Sequence, residues 1–357
     1  RERAPFALCK GKRAVVIFCY NRPHYLERAM RSVLARMPTD GRYVLVVSQD
    51  GADPGVAAVV AAEGRGARPG VVHLQHPRTE VPVGKKENAG YYYLAAHYGW
   101  ALSQVFHVMQ ADEAIILEDD IEVAEDFFAY FDALAPLVRE DPTLLSVSAF
   151  SDNGQPEHTH DPSAVYRSDF FPGLGWLMTA DLWRELGPKW PRAYWDDWLR
   201  EPHNRRGRAT LRPEMSRTYT YGEKGVSKGQ FSAFLKSMAL APGGKADWAA
   251  VDRARWTKAR YDGEWLRAVA AAREVRPADL AAARASGEAC GDLRITYRDP
   301  REFELLAKAL HLMTDIRAGV PRTAYLGVVV FRRGPCRVFL APSYPVHADN
   351  QSIVHVG

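Results

Sequence analysis

Two groups of acidic residues stand in surroundings that suit different chemistry. The first is Glu118-Asp119-Asp120, three carboxylates that follow directly on the apolar run Ala114 to Leu117. Oxygen ligands of this kind suit a hard cation such as Mg²⁺ or Mn²⁺, which bridges a carboxylate and a diphosphate and neutralises the charge of a departing nucleotide. The competing reading is that Asp119 and Asp120 start the helix containing Ala124 to Leu134 and satisfy its exposed amides. The second group lies in Trp190-Pro191-Arg192-Ala193-Tyr194-Trp195-Asp196-Asp197-Trp198. An acid flanked by indoles and a phenol meets the needs of a sugar site, because aromatic faces pack on the C–H-rich faces of pyranoses while the acid takes a hydroxyl proton. Either Asp196 or Asp197 could serve, and the competing reading is a capping Asp196 among core aromatics. Glycosyl transfer needs both a base for the attacking hydroxyl and stabilisation of the leaving diphosphate, so two separated acidic groups fit it. A glycosidase also uses two carboxylates, but it has no need of a strand-end acidic triplet beside a nucleotide-sized α/β half.

The elements that must position these groups follow from periodicity. Short β-rich runs at Ala14 to Cys19, Tyr43 to Ser48 and Ala114 to Leu117 alternate with helical patterns after Pro23 and over Glu87 to Phe106, which predicts a parallel α/β sheet. Asn21-Arg22-Pro23 lies where the first strand gives way to the helix Tyr25 to Leu34, with Asn21 as its expected cap. Loops at such carboxyl strand ends are where ligands bind in open α/β sheets. From Phe170 to Trp198 the chain is rich in aromatics, Pro and Gly and fits neither one helix nor one strand. Pro242-Gly243-Gly244 punctuates a less patterned stretch, after which helical patterns at Gly263 to Ala272, Pro277 to Ala285 and Pro300 to Leu310 accompany strand-like Leu293 to Tyr297. A hairpin-like pair, Ala324 to Arg332 and Arg337 to Ala341, closes the pattern.

Composition narrows the function classes. The 357 residues, 47% hydrophobic, can bury a sizeable core, and 47 basic against 43 acidic side chains leave a net charge of only +4. That balance gives no nucleic-acid groove, and Arg205-Arg206-Gly207-Arg208 is too short to track phosphates. No apolar run reaches membrane-spanning length. The chain begins at Arg1 without a signal-like segment, so a targeting segment is expected to lie outside it. Cys9, Cys19, Cys290 and Cys336 show no C-x-x-C spacing, and Cys19 ends an apolar run as a small hydrophobe would.

Ile116-Leu117-Glu118-Asp119-Asp120, Phe170-Phe171-Pro172-Gly173-Leu174-Gly175-Trp176, Pro188-Lys189-Trp190-Pro191 and Tyr194-Trp195-Asp196-Asp197-Trp198 form a set of motifs. In these the chain resembles the N-acetylglucosaminyltransferase I family, glycosyltransferase family 13. Arg212-Pro213-Glu214, Ser216-Arg217-Thr218, Gly225-Val226-Ser227, Gly229-Gln230-Phe231, Gly319-Val320-Pro321-Arg322 and Val338-Phe339-Leu340 continue the likeness in order, across most of the chain.

The resemblance implies a Mn²⁺-dependent inverting enzyme of GT-A fold. It would transfer GlcNAc from UDP-GlcNAc to the 2-hydroxyl of the α-1,3-linked mannose of an oligomannose N-glycan on a glycoprotein. It places Asp120 on the metal and Asp196 as the base. Arg22, Asp50 and His97 would face the nucleotide, Glu118 and Asp119 the donor, and Trp195 and Leu174 would stand beside the base. Ser227 falls in a loop that orders over the diphosphate. The Rossmann-like catalytic domain is expected over residues 1–236, with a donor-site lid at 223–236, a linker at 237–247 and a smaller α+β domain at 248–357. A Golgi-lumenal address and a type II anchor absent from this chain are implied as well. Tyr20, Gly51, Ser146 and Thr210 stand where animal members carry cysteines, both halves of each expected pair missing together. Phe150 replaces the usual tryptophan, and Thr79 to Asn88 is unlike the family in detail. The Asn21-Arg22-Pro23 motif is shared with the related protein O-mannose N-acetylglucosaminyltransferase, which is the near alternative; a glycan-binding relative that has lost transfer is the other.

Overall fold

The computed structural model describes residues 6–67, 70–84, 87–223, 231–280 and 291–344. Its first half runs β1 (Arg13–Cys19), α1 (Pro23–Leu34), β2 (Tyr43–Asp50), α2 (Pro54–Glu63), β3 (Val71–His76), α3 (Ala89–Ser103), β4 (Glu113–Glu118), the short β5 (Ile121–Val123) and α4 (Phe127–Glu140). There follow β6 (Leu144–Val147), β7 (Val165–Ser168), β8 (Trp176–Thr179), α5 (Ala180–Leu186), α6 (Trp195–Arg200), β9 (Ala209–Pro213) and β10 (Thr218–Thr220). The main sheet has the order β3-β2-β1-β4-β8. Its first four strands are parallel and β8 is antiparallel.

The apolar run of β1 explains the central position of that strand. Val15, Ile17 and Cys19 enter one core cluster while Ala14, Val16 and Phe18 enter the other. Both faces of the sheet are therefore covered, as parallel sheets require. Helix α1 buries Leu26, Ala29, Met30 and Val33, an i, i+3, i+4, i+7 stripe. Asn21 is not its cap: the capping position is Arg22, which makes no side-chain cap bond. The guanidinium is engaged elsewhere, as described below. The helix expected over Glu87 to Phe106 is α3, capped by Asn88 through a bond from the Gly90 amide and continued by a turn of π-helix at Gln104–Val108.

Neither acidic group caps a helix. Between Asp120 and α4 the chain makes β5, which pairs antiparallel with β10, and the α4 capping position is Asp126. The irregular segment from Phe170 to Trp198 resolves into β8, α5 and the start of α6, whose capping position is Tyr194 and not Asp196.

In the C-terminal part, β11 (Arg273–Glu274), β12 (Leu293–Tyr297), β13 (Ile316–Arg317), β14 (Val320–Pro321), β15 (Val329–Arg333) and β16 (Cys336–Pro342) appear with helices Lys258–Ala271 and Pro300–Ala309. Strands β11, β12, β16 and β15 form a second sheet. It has its own core, with Leu293, Ile295, Phe303, Val329 and Val338, while Trp256, Tyr261, Trp265 and Phe339 join a cluster that extends beneath the main sheet. The two parts thus share apolar packing. The pattern at Pro277 to Ala285 begins as a 3₁₀ turn, Pro277–Asp279, and is α-helical at Leu280; the remainder falls in residues 281–290, which lie outside the described residues.

Candidate active site

Because β1, β2 and β4 are parallel neighbours, their carboxyl ends open on one edge of the sheet. Arg22 follows β1, Asp50 ends β2, and Glu118 ends β4 with Asp119 and Asp120 directly after it. The Asp119 amide donates to the Phe18 carbonyl at 2.9 Å, and the Tyr221 amide donates to the Asp120 carbonyl at 3.0 Å. These bonds fix the acidic turn between the end of β1 and the chain leaving β10. The edge opens into a cleft of about 1040 Å³. Arg22, Asp50, His97, Glu118, Asp119 and Asp120 line it, and so do Leu174, Trp195 and Asp196. Ser227 and the rest of 224–230 lie outside the described residues.

One guanidinium serves the acidic triplet. Arg22 pairs with Asp119 and lies 3.1 Å from an Asp120 oxygen. The Tyr98 hydroxyl donates to Glu118 at 3.0 Å. Burial pushes the Glu118 carboxyl up to about 7, with the charge of Asp120 adding to it; burial pushes Asp119 to about 7 as well, against the pull of Arg22. Three carboxyls stand here beside one guanidinium, and an added cation would favour their charged forms. Among the described residues no three His, Cys, Asp or Glu side chains are arranged to hold a metal by themselves. A hard cation bound at Asp120 would draw its remaining oxygens from diphosphate and water, the usual arrangement for Mg²⁺-like ions. Gly222 closes over this carboxylate: a Cβ there would fall 2.1 Å from Asp120 Oδ2.

At the other end of the edge, Asp50 accepts from His76 Nδ1 at 2.8 Å and pairs with Arg78. The Arg78 guanidinium lies 3.7 Å from the Tyr93 ring centre and 4.2 Å from that of Tyr20. His97 is buried, which pushes its imidazole down to about 3, with Asp50 opposing. It stays neutral, 2.8 Å from the Ser48 hydroxyl and stacked on His76. Cys19 is a free, buried thiol pushed well up by burial, unsuited to thiolate chemistry.

Asp196 and Asp197 sit in the first turn of α6, and their side chains are 39% and 41% exposed. Both accept from the same nitrogen, Nη1 of buried Arg200, at 2.8 Å. Arg200 is anchored in turn by donation from Nε to the Phe171 carbonyl at 3.0 Å. Asp197 also has Arg317 at 3.9 Å from its second oxygen. Asp196 is thus the less neutralised of the two, with one oxygen unengaged by these cations.

Trp195 is 6% exposed and stacked on Tyr98 and Trp176, so it packs more than it presents a face. Gly173, Leu174 and Gly175 form a run at φ 69°, 50° and 97° along the wall. At Gly175 a Cβ would meet Thr218 at 2.6 Å, so the close approach requires glycine. Tyr91, Arg200 and Arg317, which the sequence did not single out, line the cleft as well, as does Arg322, which stood in the sequence only as part of the motif Gly319-Val320-Pro321-Arg322 with no role at the site. Arg200 was findable as the partner of Asp196 four residues on; Arg317 and Arg322 arrive from a distant segment with no local signal.

Residues 3–353 match the GNT-I family. A protein of Arabidopsis thaliana named alpha-1,3-mannosyl-glycoprotein 2-beta-N-acetylglucosaminyltransferase is 43% identical over 332 residues, covering 92% of this chain and 73% of that protein. Among solved structures, S. aureus TarS 1-349 aligns with a TM-score of 0.41 at 12% identity, over 58% of this chain and 60% of its own. Mannosyltransferase PcManGT from Pyrobaculum calidifontis, in complex with GDP-Man and Mn²⁺, aligns with a TM-score of 0.40 at 15% identity, over 80% of this chain and 82% of its own. With the family match running almost from end to end and a relative of this identity beside it, the chain belongs to the GNT-I family.

Proposed function

We propose that this chain transfers GlcNAc from UDP-GlcNAc to the 2-hydroxyl of the α-1,3-linked mannose of an oligomannose N-glycan, with inversion. The observation that carries the reading is that Asp120 and Asp196, from segments far apart in sequence, line one cleft large enough for a nucleotide sugar and an acceptor. The name of the Arabidopsis relative supports the choice of sugar and acceptor.

In this reading Asp196 takes the proton of the mannose hydroxyl as its oxygen forms a bond to the anomeric carbon, and the bond from that carbon to the diphosphate breaks, releasing UDP. Asp120 would hold Mn²⁺, which when bound would supply charge neutralisation for the departing diphosphate. Arg22 holds the acidic turn in place and adds positive charge beside it. Asp50 and His97, at the far end of the cleft, suit the nucleotide: a fixed carboxylate accepts from a base or ribose, and a neutral imidazole adds a hydrogen-bonding edge. Arg200 orients Asp196.

The catalytic domain takes in residues 1–236, joined through 237–247 to a smaller domain over 248–357; the second sheet and its own core support this division. We place the reaction in the Golgi lumen. Cys336 is disulfide-bonded, which fits an oxidising compartment of the secretory pathway. Among the described residues no helix is long and apolar enough to cross a membrane.

The deciding assay supplies UDP-GlcNAc and Mn²⁺ with either a five-mannose N-glycan or an O-mannosyl peptide. Release of UDP with a GlcNAc-extended N-glycan is expected. Transfer only to the peptide would reassign the acceptor, and transfer to neither would overturn the enzyme reading.

A further inference from the structure

Tyr194 combines three properties that ordinary packing does not explain. It is 38% exposed, whereas the other large exposed apolar side chains, apart from Tyr20, lie away from the cleft. Its backbone is left-handed, φ 51° and ψ 48°, and as the capping position of α6 it makes no side-chain cap bond. Its ring stacks on Tyr91, centres 4.4 Å apart and planes at 28°. A bulky residue adopts this backbone region only under constraint from its surroundings, and such residues gather at ligand sites. Tyr20, the other exposed aromatic of the cleft, is covered by the Arg78 guanidinium. Among the described residues no cation lies over Tyr194, and its ring, stacked on Tyr91, is exposed along the wall of the cleft.

We propose that the exposed ring of Tyr194, backed by Tyr91, is the platform on which the pyranose ring of the acceptor lies while its hydroxyl meets Asp196. This rests on the transferase reading above and names a residue of its acceptor side. Tyr194 is the capping position of α6 and Asp196 lies in its first turn, so the start of one helix fixes the backbone of both. A flat sugar face needs an apolar wall of its own size, and tyrosine supplies one with little rotamer freedom to lose. The polar rim needed for the hydroxyls is present: Asp197 and Arg317 lie beside Asp196, and Arg322 lines the same cleft.

The test compares the full chain with Tyr194→Asn and Tyr194→Phe. Asparagine tolerates the left-handed backbone and removes the ring, so it separates folding from recognition. With a five-mannose glycan as acceptor, Tyr194→Asn is expected to raise the acceptor KM by about tenfold or more, the value of one lost aromatic contact. The KM for UDP-GlcNAc and the Tm should stay close to the parent's, and Tyr194→Phe should behave as the parent. Saturation-transfer NMR of the same glycan with UDP and Mn²⁺ present reads binding without turnover, and its signal should fall in Tyr194→Asn alone. An unchanged acceptor KM, a raised donor KM, an equal loss in Tyr194→Phe, or a collapse of every parameter together with Tm would overturn the platform. If the parent binds glycan through Tyr194 but transfers nothing, the transferase reading fails while the platform stands; if the parent binds no glycan, the platform falls.

Discussion

Asp196 and Arg200 are joined at 2.8 Å across one turn of α6, and the same guanidinium nitrogen lies 2.8 Å from Asp197. A single buried cation thus divides itself between two half-exposed acids, and the presence of Arg317 beside Asp197 alone breaks the symmetry. Asp196 lines the cleft and keeps one oxygen with no cation against it, the condition a base requires.

Asp196→Asn should therefore lower kcat by about 10²–10⁴-fold, the span associated with losing a positioned base. Asp197→Asn should cost no more than about tenfold, because it removes an orienting charge and leaves the base in place. Steady-state rates at saturating UDP-GlcNAc check the pair, together with circular dichroism to verify folding. A reversed order would assign the base to Asp197.

Replacing Arg200 by alanine removes the anchor from both acids and opens a space the size of the guanidinium group. Transfer should drop about 10–100-fold, as when a group that orients a reactive side chain is lost. Guanidinium ion added at concentrations too low to denature should restore part of the rate. No recovery, with normal folding, would argue that Arg200 supports only the packing against Phe170 and Phe171.

Much of this arrangement was legible from local pattern. Ala114 to Leu117 reads as a buried strand because all its residues are apolar, and the carboxylates directly after it must then emerge at the carboxyl edge of a parallel sheet. The positions where animal members carry cysteines are neighbours in space as well: Ser146 stands opposite Thr210 in the β6–β9 register, and Gly51 lies beside Tyr20. What pattern could not sort was the aromatic segment. Trp195 and Tyr194 are adjacent and both suit a sugar, yet Trp195 is sealed into the stack of Tyr98 and Trp176 while Tyr194 is turned outward by a backbone torsion that leaves no trace in composition. The place of Arg317 and Arg322 at the cleft was hidden for another reason, since only the docking of the C-terminal part brings them there.

Gly222→Ala tests how the metal-side carboxylate is held. The added Cβ, 2.1 Å from Asp120 Oδ2, must push that carboxylate from its position. Half-saturation by Mn²⁺ should rise about 10–100-fold, comparable to the loss of a group that orients a metal ligand. Titrating Mn²⁺ into enzyme stripped with chelator, with turnover and with isothermal calorimetry in the presence of UDP, measures this directly. An unchanged midpoint would place the working metal ligand elsewhere than Asp120.

His158 gives the fold a pH dependence that lies away from the cleft. It is buried against Phe331 with its Nε2 3.0 Å from the His311 carbonyl, and burial pushes its imidazole down to about 4, with Arg333 nearby adding to the effect and the carbonyl opposing it. The folded chain therefore prefers the neutral ring, while the unfolded chain takes up a proton near 6.5. Below that pH the unfolded state binds more protons, so this stability is present above about 6.5 and is lost progressively as pH falls toward 4. The loss amounts to at most about 3–4 kcal/mol for this one group. Urea unfolding at pH 7.5 and pH 5 should show a smaller difference for His158→Gln than for the parent, because glutamine keeps a hydrogen-bonding head but cannot be protonated; equal pH dependence in the two proteins would show that His158 is not the group that titrates.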